Sequence, residues 1–332
     1  MTVKEAVLEA LEENRGTYLS GEKLSEGLGV SRAAVWKAIA RLREEGYPIE
    51  AVTRLGYLLP MDPGKITADE IRRYLPAKYR NNGVYIYDVL DSTNNRARQI
   101  AADGATPDGA DLHGSVVIAL QQTAGKGRLG RGFHSPREGL YLSIIVKPDF
   151  DLSRSVLVTV AAAEAVARSV DEICGVDTGI KWVNDVYLDG KKICGILTEG
   201  VTDFETGGLD HLVIGIGVNT TMKGFPRELQ KIAGAVEGDY SRSALAADIV
   251  ARTLDNLEAI EEKGFMEIYR EKDILTGQQV QVYRGAYRKD PQEEMKGDPA
   301  RVMGIDENGG LMVMFTDGTR ETLTTGEVTI RL

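Results

Sequence analysis

The sequence predicts a multidomain α+β chain with a winged helix-turn-helix at its N-terminus, a mixed α+β domain in the middle, and a small β-barrel at the end. Three observations predict it. At 332 residues the chain is too long for one ordinary hydrophobic core. Its first sixty residues read as helix, helix, helix and a strand pair, and from Thr276 onward short strands replace helices. The expected domains are residues 1–62, 63–272 and 273–332.

In the first domain, Val3 to Leu11 has helical apolar spacing, Ser20 is placed to cap Gly21 to Leu28, and Gly29 breaks the chain. Ser31 is placed to cap a third helix running to Glu45. In that helix Val35, Ala38, Ile39 and Leu42 make one apolar stripe, while Ala33, Trp36, Lys37, Ala40 and Arg41 face the other way. Between Arg32 and Arg43 there are four basic residues and no acidic one, so positive charge concentrates where a recognition helix would be. Ile49 to Val52 and Tyr57 to Leu59 then flank Thr53-Arg54-Leu55-Gly56, a wing with a basic tip. The candidate DNA contacts are Ser31, Arg32, Ala33, Trp36, Lys37, Arg41 and Arg54.

Met61-Asp62-Pro63-Gly64 marks a boundary, because adjacent proline and glycine interrupt regular structure. Strands follow at Gly83 to Val89, Val116 to Gln121, Leu140 to Val146 and His211 to Val218, with a long helix near Ser153 to Ile173. Strands lie both side by side and around helices, which suits an α+β sheet better than strict βαβ alternation. The closing stretch holds QQVQVYRG, ARVMGI, GLMVMF and EVTIRL, separated by turns such as Asp306-Glu307-Asn308-Gly309 and Asp317-Gly318.

A formal charge of −10 excludes a protein that coats nucleic acid over its whole surface, so any DNA contact is local. Neither an apolar run near the roughly 20 residues of a membrane span nor a secretory leader is read, which places the chain in the cytoplasm without a membrane partner. Two cysteines and three histidines at no ligand spacing imply reduced thiols and no metal site.

Chemistry concentrates in Gln121-Gln122-Thr123-Ala124-Gly125-Lys126-Gly127-Arg128-Leu129-Gly130-Arg131-Gly132, where glycines alternate with cations after a strand. Glycine lets backbone amides approach an anion, and lysine and arginine neutralise its oxygens. Gly125-x-Gly127-x-x-Gly130 matches a dinucleotide fingerprint, which would make the chain a Rossmann oxidoreductase. In that fold the last glycine opens a helix, whereas Gly132 and Pro136 oppose one here. A basic loop that orders over a nucleotide is the better reading. Elsewhere, Asp189-Gly190 makes a two-residue hairpin turn that delivers Lys192 to a strand. A DSTN run such as Asp91-Ser92-Thr93-Asn94 is by itself more often a helix cap than a ligand site.

The segments SGEKLSEGLGVSRAAVWKAIARLREEGY, DSTNNRA, QTAGKGRLGRGFHSP, LYLSI, IKWVNDVYLDGKKICGILTE and VIGIGVN resemble those of bifunctional biotin protein ligases that are also biotin operon repressors. The resemblance covers essentially the whole chain and is weakest in the last sixty residues. It implies a central domain related to class II aminoacyl-tRNA synthetases and lipoate ligases, and an SH3-like C-terminal barrel. The implied activity joins biotin to ATP as biotinyl-5'-AMP, with Mg²⁺ accompanying ATP, and passes biotin to a lysine of the biotin carboxyl carrier protein. The adenylate then acts as corepressor, and a ligand-promoted homodimer binds a palindromic operator upstream of biotin genes.

By this resemblance Ser92, Thr93, Asn94, Gln122, Lys126, Gly127, Arg128 and Lys192 hold biotin. Arg128, Arg131, Lys181, Asn184, Asp185 and Asn219 hold ATP or the adenylate, and Lys192 and Arg128 are catalytic. Trp182 and Phe133 are read as packing or lid residues. Lys126 departs from the arginine that many bacterial members carry. Two other readings stay open: a biotin-sensing repressor without enzyme activity, and a lipoate or octanoyl ligase on the same central fold.

Overall fold

Hydroxyl caps set the three N-terminal helices. The computed structural model describes residues 2–44, 47–60, 66–104, 106, 108–150, 154–202, 209–283, 297–324 and 327–330. Helix α1 (Val3–Glu13) opens on a capping box, in which Thr2 Oγ1 accepts from Glu5 N at 3.3 Å and Glu5 accepts from Thr2 N at 2.8 Å. Helix α2 (Gly21–Leu28) starts at Ser20, which accepts from Lys23 N at 3.0 Å, and stops at left-handed Gly29, φ 65°. Helix α3 (Arg32–Glu44) is capped by Ser31, which accepts from Ala34 N at 3.2 Å. Its expected last residue, Glu45, and the boundary Met61–Gly64 lie outside the described residues.

The predicted stripe Val35, Ala38, Ile39 and Leu42 is buried against Val7, Leu11, Leu19 and Leu24. Strands β1 (Glu50–Val52) and β2 (Gly56–Leu58) pair antiparallel, each a residue or so from its expected place. Gly56 needs to be glycine: its φ is 111°, and a Cβ there would lie 2.1 Å from Leu19 O. Leu19 exchanges backbone hydrogen bonds with Tyr57 at 2.8 and 2.9 Å, which ties the wing to the segment before α2.

The chain divides into two compact units, residues 1–66 with 239–243, and residues 67–238 with 244–332. The second contains α4 (Ala68–Tyr74), β3 (Val84–Tyr87), α5 (Thr93–Ala102), β4 (Val116–Ala119), β5 (Leu140–Val146) and α6 (Ser155–Cys174). There follow β6 (Gly179–Lys181), β7 (Asp185–Leu188), β8 (Lys191–Thr202), β9 (Leu209–Val218), α7 (Arg242–Glu258, in this unit from Ala244 onward) and α8 (Phe265–Glu271). One sheet has the order β3-β4-β5-β9-β8-β7-β6, and within it only β3 and β4 run parallel. This is the expected α+β arrangement. Every residue of β5 is buried, as befits the central position of that strand. Helix α5 packs over β4, β5 and β9, and α6 over β6, β7 and β8.

The C-terminal strands are β10 (Gln279–Tyr283), β11 (Asp298–Ile305), β12 (Leu311–Phe315), β13 (Arg320–Leu323) and β14 (Glu327–Ile330). Among the described residues they form an antiparallel sheet in the order β13-β12-β11-β10-β14. Its two edges are β13 and β14, and among the described residues no pairing joins them where the expected barrel would close. Strand β13, RETL, was not foreseen: three of its four residues are exposed, so no apolar alternation announces it. The Asp306–Gly309 turn meets the segment between β6 and β7, where Trp182 Nε1 donates to Gly309 O at 2.9 Å. Trp182 is therefore a buried packing residue that anchors the C-terminal sheet.

Candidate active site

The predicted polar residues converge on one cleft in the second unit. Ser92, Thr93, Asn94 and Gln122 line one part of it, Lys126, Gly127, Arg128 and Arg131 another, and Lys181, Asn184, Asp185 and Lys192 a third. The cleft encloses about 990 Å³ of empty space, part of it open to solvent. Of the predicted cleft residues only Asn219 is not in its wall.

The glycine-rich loop is a narrow hairpin. Gly127 N donates to Arg131 O at 2.7 Å and Phe133 N to Gly125 O at 2.8 Å, with one tight turn at Arg128–Gly130 between them. No α-helix begins at Gly130; Arg131 is extended, so the dinucleotide fingerprint is a coincidence of spacing. A Cβ on Gly125 would lie 2.4 Å from Phe133 O, which requires glycine where the two arms of the hairpin meet.

The DSTN run starts α5 without acting as its cap. Ser92 holds the cap position but makes no capping hydrogen bond with its side chain. Gln122 takes over: its Oε1 accepts from Thr93 N at 2.8 Å and from Thr93 Oγ1 at 3.1 Å, while Nε2 donates to Ser135 Oγ at 2.9 Å. A distant side chain thus satisfies the helix end, and the Ser92 hydroxyl is not spent on it. Asn94 lines the cleft with its amide engaged inside the protein, donating to Glu199 at 2.7 Å and accepting from Ser143 at 2.6 Å.

Across the cleft, Asp189 (φ 50°) and Gly190 (φ 74°) form the predicted hairpin turn. Lys192 follows on β8, with its N–H on Ile232 O at 3.1 Å and its C=O receiving Gly234 N at 2.9 Å. Its Nζ lies 2.6 Å from Asp185 Oδ1. Asn184 bridges the two sides, accepting from Arg128 Nη1 at 3.2 Å and donating to Ile196 O at 2.8 Å. Lys126 Nζ donates to Asn95 Oδ1 at 2.6 Å, and Asn95 in turn donates to Asp91. That hydrogen bond from Asn95 holds the Asp91 carboxyl below the usual aspartate range. Asn219 is buried at the end of β9; its Nδ2 donates to Gly234 O at 2.9 Å and its Oδ1 has no hydrogen-bond partner.

Part of the cleft wall was missed from sequence. Gly195, Gly215 and Gly217 also line it, and Gly195 pairs with Gly217 across β8 and β9. The Phe133 ring occupies the room that Gly195 and Gly217 leave: a Cβ on Gly217 would lie 2.5 Å from it, and one on Gly195 3.1 Å. The alternation Gly215-Ile216-Gly217 puts both glycines on one face of a strand, a signal legible in principle.

The N-terminal candidates lie on α3 and the wing. Ser31, Arg32, Ala33, Trp36, Lys37, Arg41 and Arg54 are all exposed, and Trp36 is 63% exposed despite its size. Arg32 is ion-paired with Glu22, and Arg43 donates to Ile49 O at 2.7 Å, so Lys37 and Arg41 carry most of the outward charge of the helix.

Comparison with known proteins agrees with this division. Residues 88–219 match the biotin/lipoate A/B protein ligase family and residues 3–58 match an HTH domain family. The bifunctional ligase/repressor BirA of Bacillus subtilis is 40% identical over 235 residues, 70% of each chain. That of Salmonella typhimurium is 30% identical over 333 residues, covering 95% of this chain and 94% of its own. Among solved structures, the biotin protein ligase from Aquifex aeolicus in complex with biotin and ATP is similar with a TM-score of 0.59 and 25% identity, over 75% of this chain and 98% of that one. With a helix-turn-helix ahead of a cationic, glycine-walled cleft, and with relatives alike over nearly the full length, the chain belongs to the bifunctional ligase/repressor family of biotin protein ligases.

Proposed function

We infer that this chain is an ATP-dependent biotin protein ligase that forms biotinyl-5'-AMP, transfers biotin to a carrier-protein lysine, and represses transcription with the adenylate as corepressor. The observation that carries the enzymatic reading is electrostatic. In a chain of net charge −10, the described residues of the cleft wall include five cations, Lys126, Arg128, Arg131, Lys181 and Lys192, against one carboxylate, Asp185. Such a wall suits a reaction that brings two anions together, a carboxylate and a triphosphate.

In the first step a biotin carboxylate oxygen attacks the α-phosphorus, a new P–O bond forms, and the bond to pyrophosphate breaks. Lys192 and Arg128 neutralise the charge that gathers there, and Asn184 and Asp185 hold those two cations in place. In the second step the neutral amine of the acceptor lysine attacks the acyl carbon, AMP leaves, and the amine loses its proton. Ser92, Thr93 and Gln122 take the ureido ring, which presents one carbonyl and two N–H groups. The buried, unpartnered Oδ1 of Asn219 suits an amino group such as that of adenine.

Among the described residues Asp185 is the one carboxylate in the cleft wall and it is paired with Lys192, which suits Mg²⁺ arriving on the triphosphate as part of the substrate. Its charge would further screen the phosphates.

For the regulatory half, exposed Trp36, Lys37, Arg41 and Arg54 support a winged helix that reads operator DNA. The full reading has three domains, 1–62, 63–272 and 273–332, the last an SH3-like barrel, in a cytoplasmic protein whose adenylate-bound homodimer matches a palindromic operator. No helix among the described residues is long and apolar enough to cross a membrane.

The test of the enzyme is incubation with biotin, ATP, Mg²⁺ and a carrier domain, followed by mass spectrometry. A biotin mass increment is expected, and its absence with an acceptor that another biotin ligase modifies would overturn the assignment. Equal operator binding with and without the adenylate would overturn the corepressor role.

A further inference from the structure

The two tryptophans of the chain sit in opposite settings. Trp182 is 4% exposed and its Nε1–H is satisfied by Gly309 O. Trp36, midway along α3, is 63% exposed, and among the described residues neither its ring nor its Nε1–H has a partner. A lone exposed apolar side chain needs no explanation by itself, but the surroundings of this one do. Ala33 lies three residues before it and Ala40 four after it, on the same face of the helix. Lys37 and Arg41 flank that face, exposed and without an ion pair among the described residues, and exposed Arg54 stands at the tip of the wing in the same unit. The face that α3 turns to the core is a different one, Val35, Ala38, Ile39 and Leu42.

Resting on the repressor reading, we propose that Trp36 determines sequence specificity: its indole covers the 5-methyl group of a thymine in the major groove of operator DNA, while Lys37, Arg41 and Arg54 hold phosphates around it. The chemistry of the groove selects this partner. Phosphate contacts position a helix and carry no sequence information, so selection falls to the groups between the cations. Base edges in the major groove present hydrogen-bond donors and acceptors at every base pair, and the thymine methyl is their apolar projection. An indole has one donor and no acceptor, so it cannot make the bidentate pairs by which arginine selects guanine or asparagine selects adenine.

What Trp36 brings is apolar area, and the methyl group is what such area can cover on a base edge. The two alanines serve the same contact. Ending at Cβ, they let the backbone of α3 come close to the groove floor one turn to either side of the indole, where a longer side chain would hold the helix away.

The probe is the duplex most enriched from a randomised DNA library by the full chain loaded with biotin, ATP and Mg²⁺, and binding is measured by fluorescence anisotropy at fixed salt. Each thymine of that duplex is replaced in turn by deoxyuridine, which removes the 5-methyl group and nothing else. Wild type is expected to lose about fourfold in affinity at one thymine, or at a symmetric pair, the effect of uncovering one methyl-sized group. Trp36→Ala is expected to bind the unsubstituted duplex about tenfold more weakly and to be indifferent to deoxyuridine at that thymine. Because Trp36 lies outside the core cluster, the variant keeps its fold, which urea titration checks. Salt dependence separates this contact from a phosphate contact: Trp36→Ala is expected to leave the slope of log affinity against log salt unchanged, whereas Lys37→Ala or Arg41→Ala makes it shallower by about one. Three results would overturn the inference: deoxyuridine effects that match in wild type and Trp36→Ala at every position, a Trp36→Ala that binds as tightly as wild type, or a slope that becomes shallower when the indole is removed. A wild type that enriches no duplex would instead sink the repressor reading on which the inference rests.

Discussion

Replacing Lys192 with alanine tests the electrostatic account most directly. The backbone there is held on both sides, by Ile232 O at 3.1 Å and Gly234 N at 2.9 Å, so truncation removes the charge without freeing the strand. What is lost is a cation 2.6 Å from Asp185, and what is left behind is that carboxylate, 21% exposed, facing the phosphates. Losing one preorganised donor costs about 10²–10³ in rate, or about 3–4 kcal/mol of transition-state stabilisation. The stranded Asp185 adds repulsion, so Lys192→Ala is expected to be slower than Lys192→Ala/Asp185→Asn, a coupling that a double-mutant cycle reads directly. Stability is expected to fall by only about 1–2 kcal/mol, because a pair one-fifth to one-third exposed lies between the surface and buried limits. The assay is single-turnover adenylate formation by rapid quench at saturating biotin and ATP, with denaturant titration as the folding control. A folded Lys192→Ala within threefold of the wild-type rate would refute the role.

Three further outcomes follow from the same geometry. Gly217→Ala, whose Cβ would lie 2.5 Å from the Phe133 ring, is expected to raise the biotin KM at least tenfold, partly recovered by Phe133→Leu; an unchanged KM would show that the ring leaves when ligand enters. Lys126→Arg exchanges the 2.6 Å bond to Asn95 for a planar fork and is expected to slow adenylate dissociation several-fold, roughly three to ten, in stopped flow, with equal off-rates removing the idea. Glu164, 1% exposed on α6, has its carboxyl pushed up by burial, against Asn256 and Arg168, which favour the charged form. The folded state thus binds that proton more tightly than the unfolded chain. This contribution to stability is present below the usual glutamate range and is lost as pH rises through the raised folded value. Glu164→Gln is expected to flatten that slope in urea titrations across the window, and a slope as steep as wild type would refute it.

Local signals were readable because their partners lie within a few residues. Ser20 and Ser31 cap helices through amides three positions on, Gly29 stops α2, and Asp189-Gly190 turns back towards Lys192. The stripe Val35, Ala38, Ile39 and Leu42 needed only the helical period to be placed in the core. The motif run QTAGKGRLGRG was legible as a loop of glycines and cations, and the fold puts Lys126, Gly127, Arg128 and Arg131 of it in the cleft wall. Where a signal depended on a distant partner, the reading was incomplete. Ser92 looked like a cap until Gln122, brought in by β4 and the loop after it, took that place. Arg32 and Arg43 counted towards an outward basic face until Glu22 and Ile49 O engaged them. The C-terminal strands were visible as periods of two, but the pairing of their edges was not, and β13 carries too little apolar alternation to be seen.

The amino-acid order alone therefore settled which segments are helix, turn and glycine-rich loop, and which family the motifs resemble, because those features rest on contacts a turn or two apart. Only the folded sheet, β3-β4-β5-β9-β8-β7-β6, decided which residues share the cleft. It set Phe133 over the glycines of β8 and β9, and brought Glu199 to Asn94 across 105 residues of chain. Such neighbours are chosen by strand register and by the burial of both faces of the sheet, and neither is written in any short stretch of the chain.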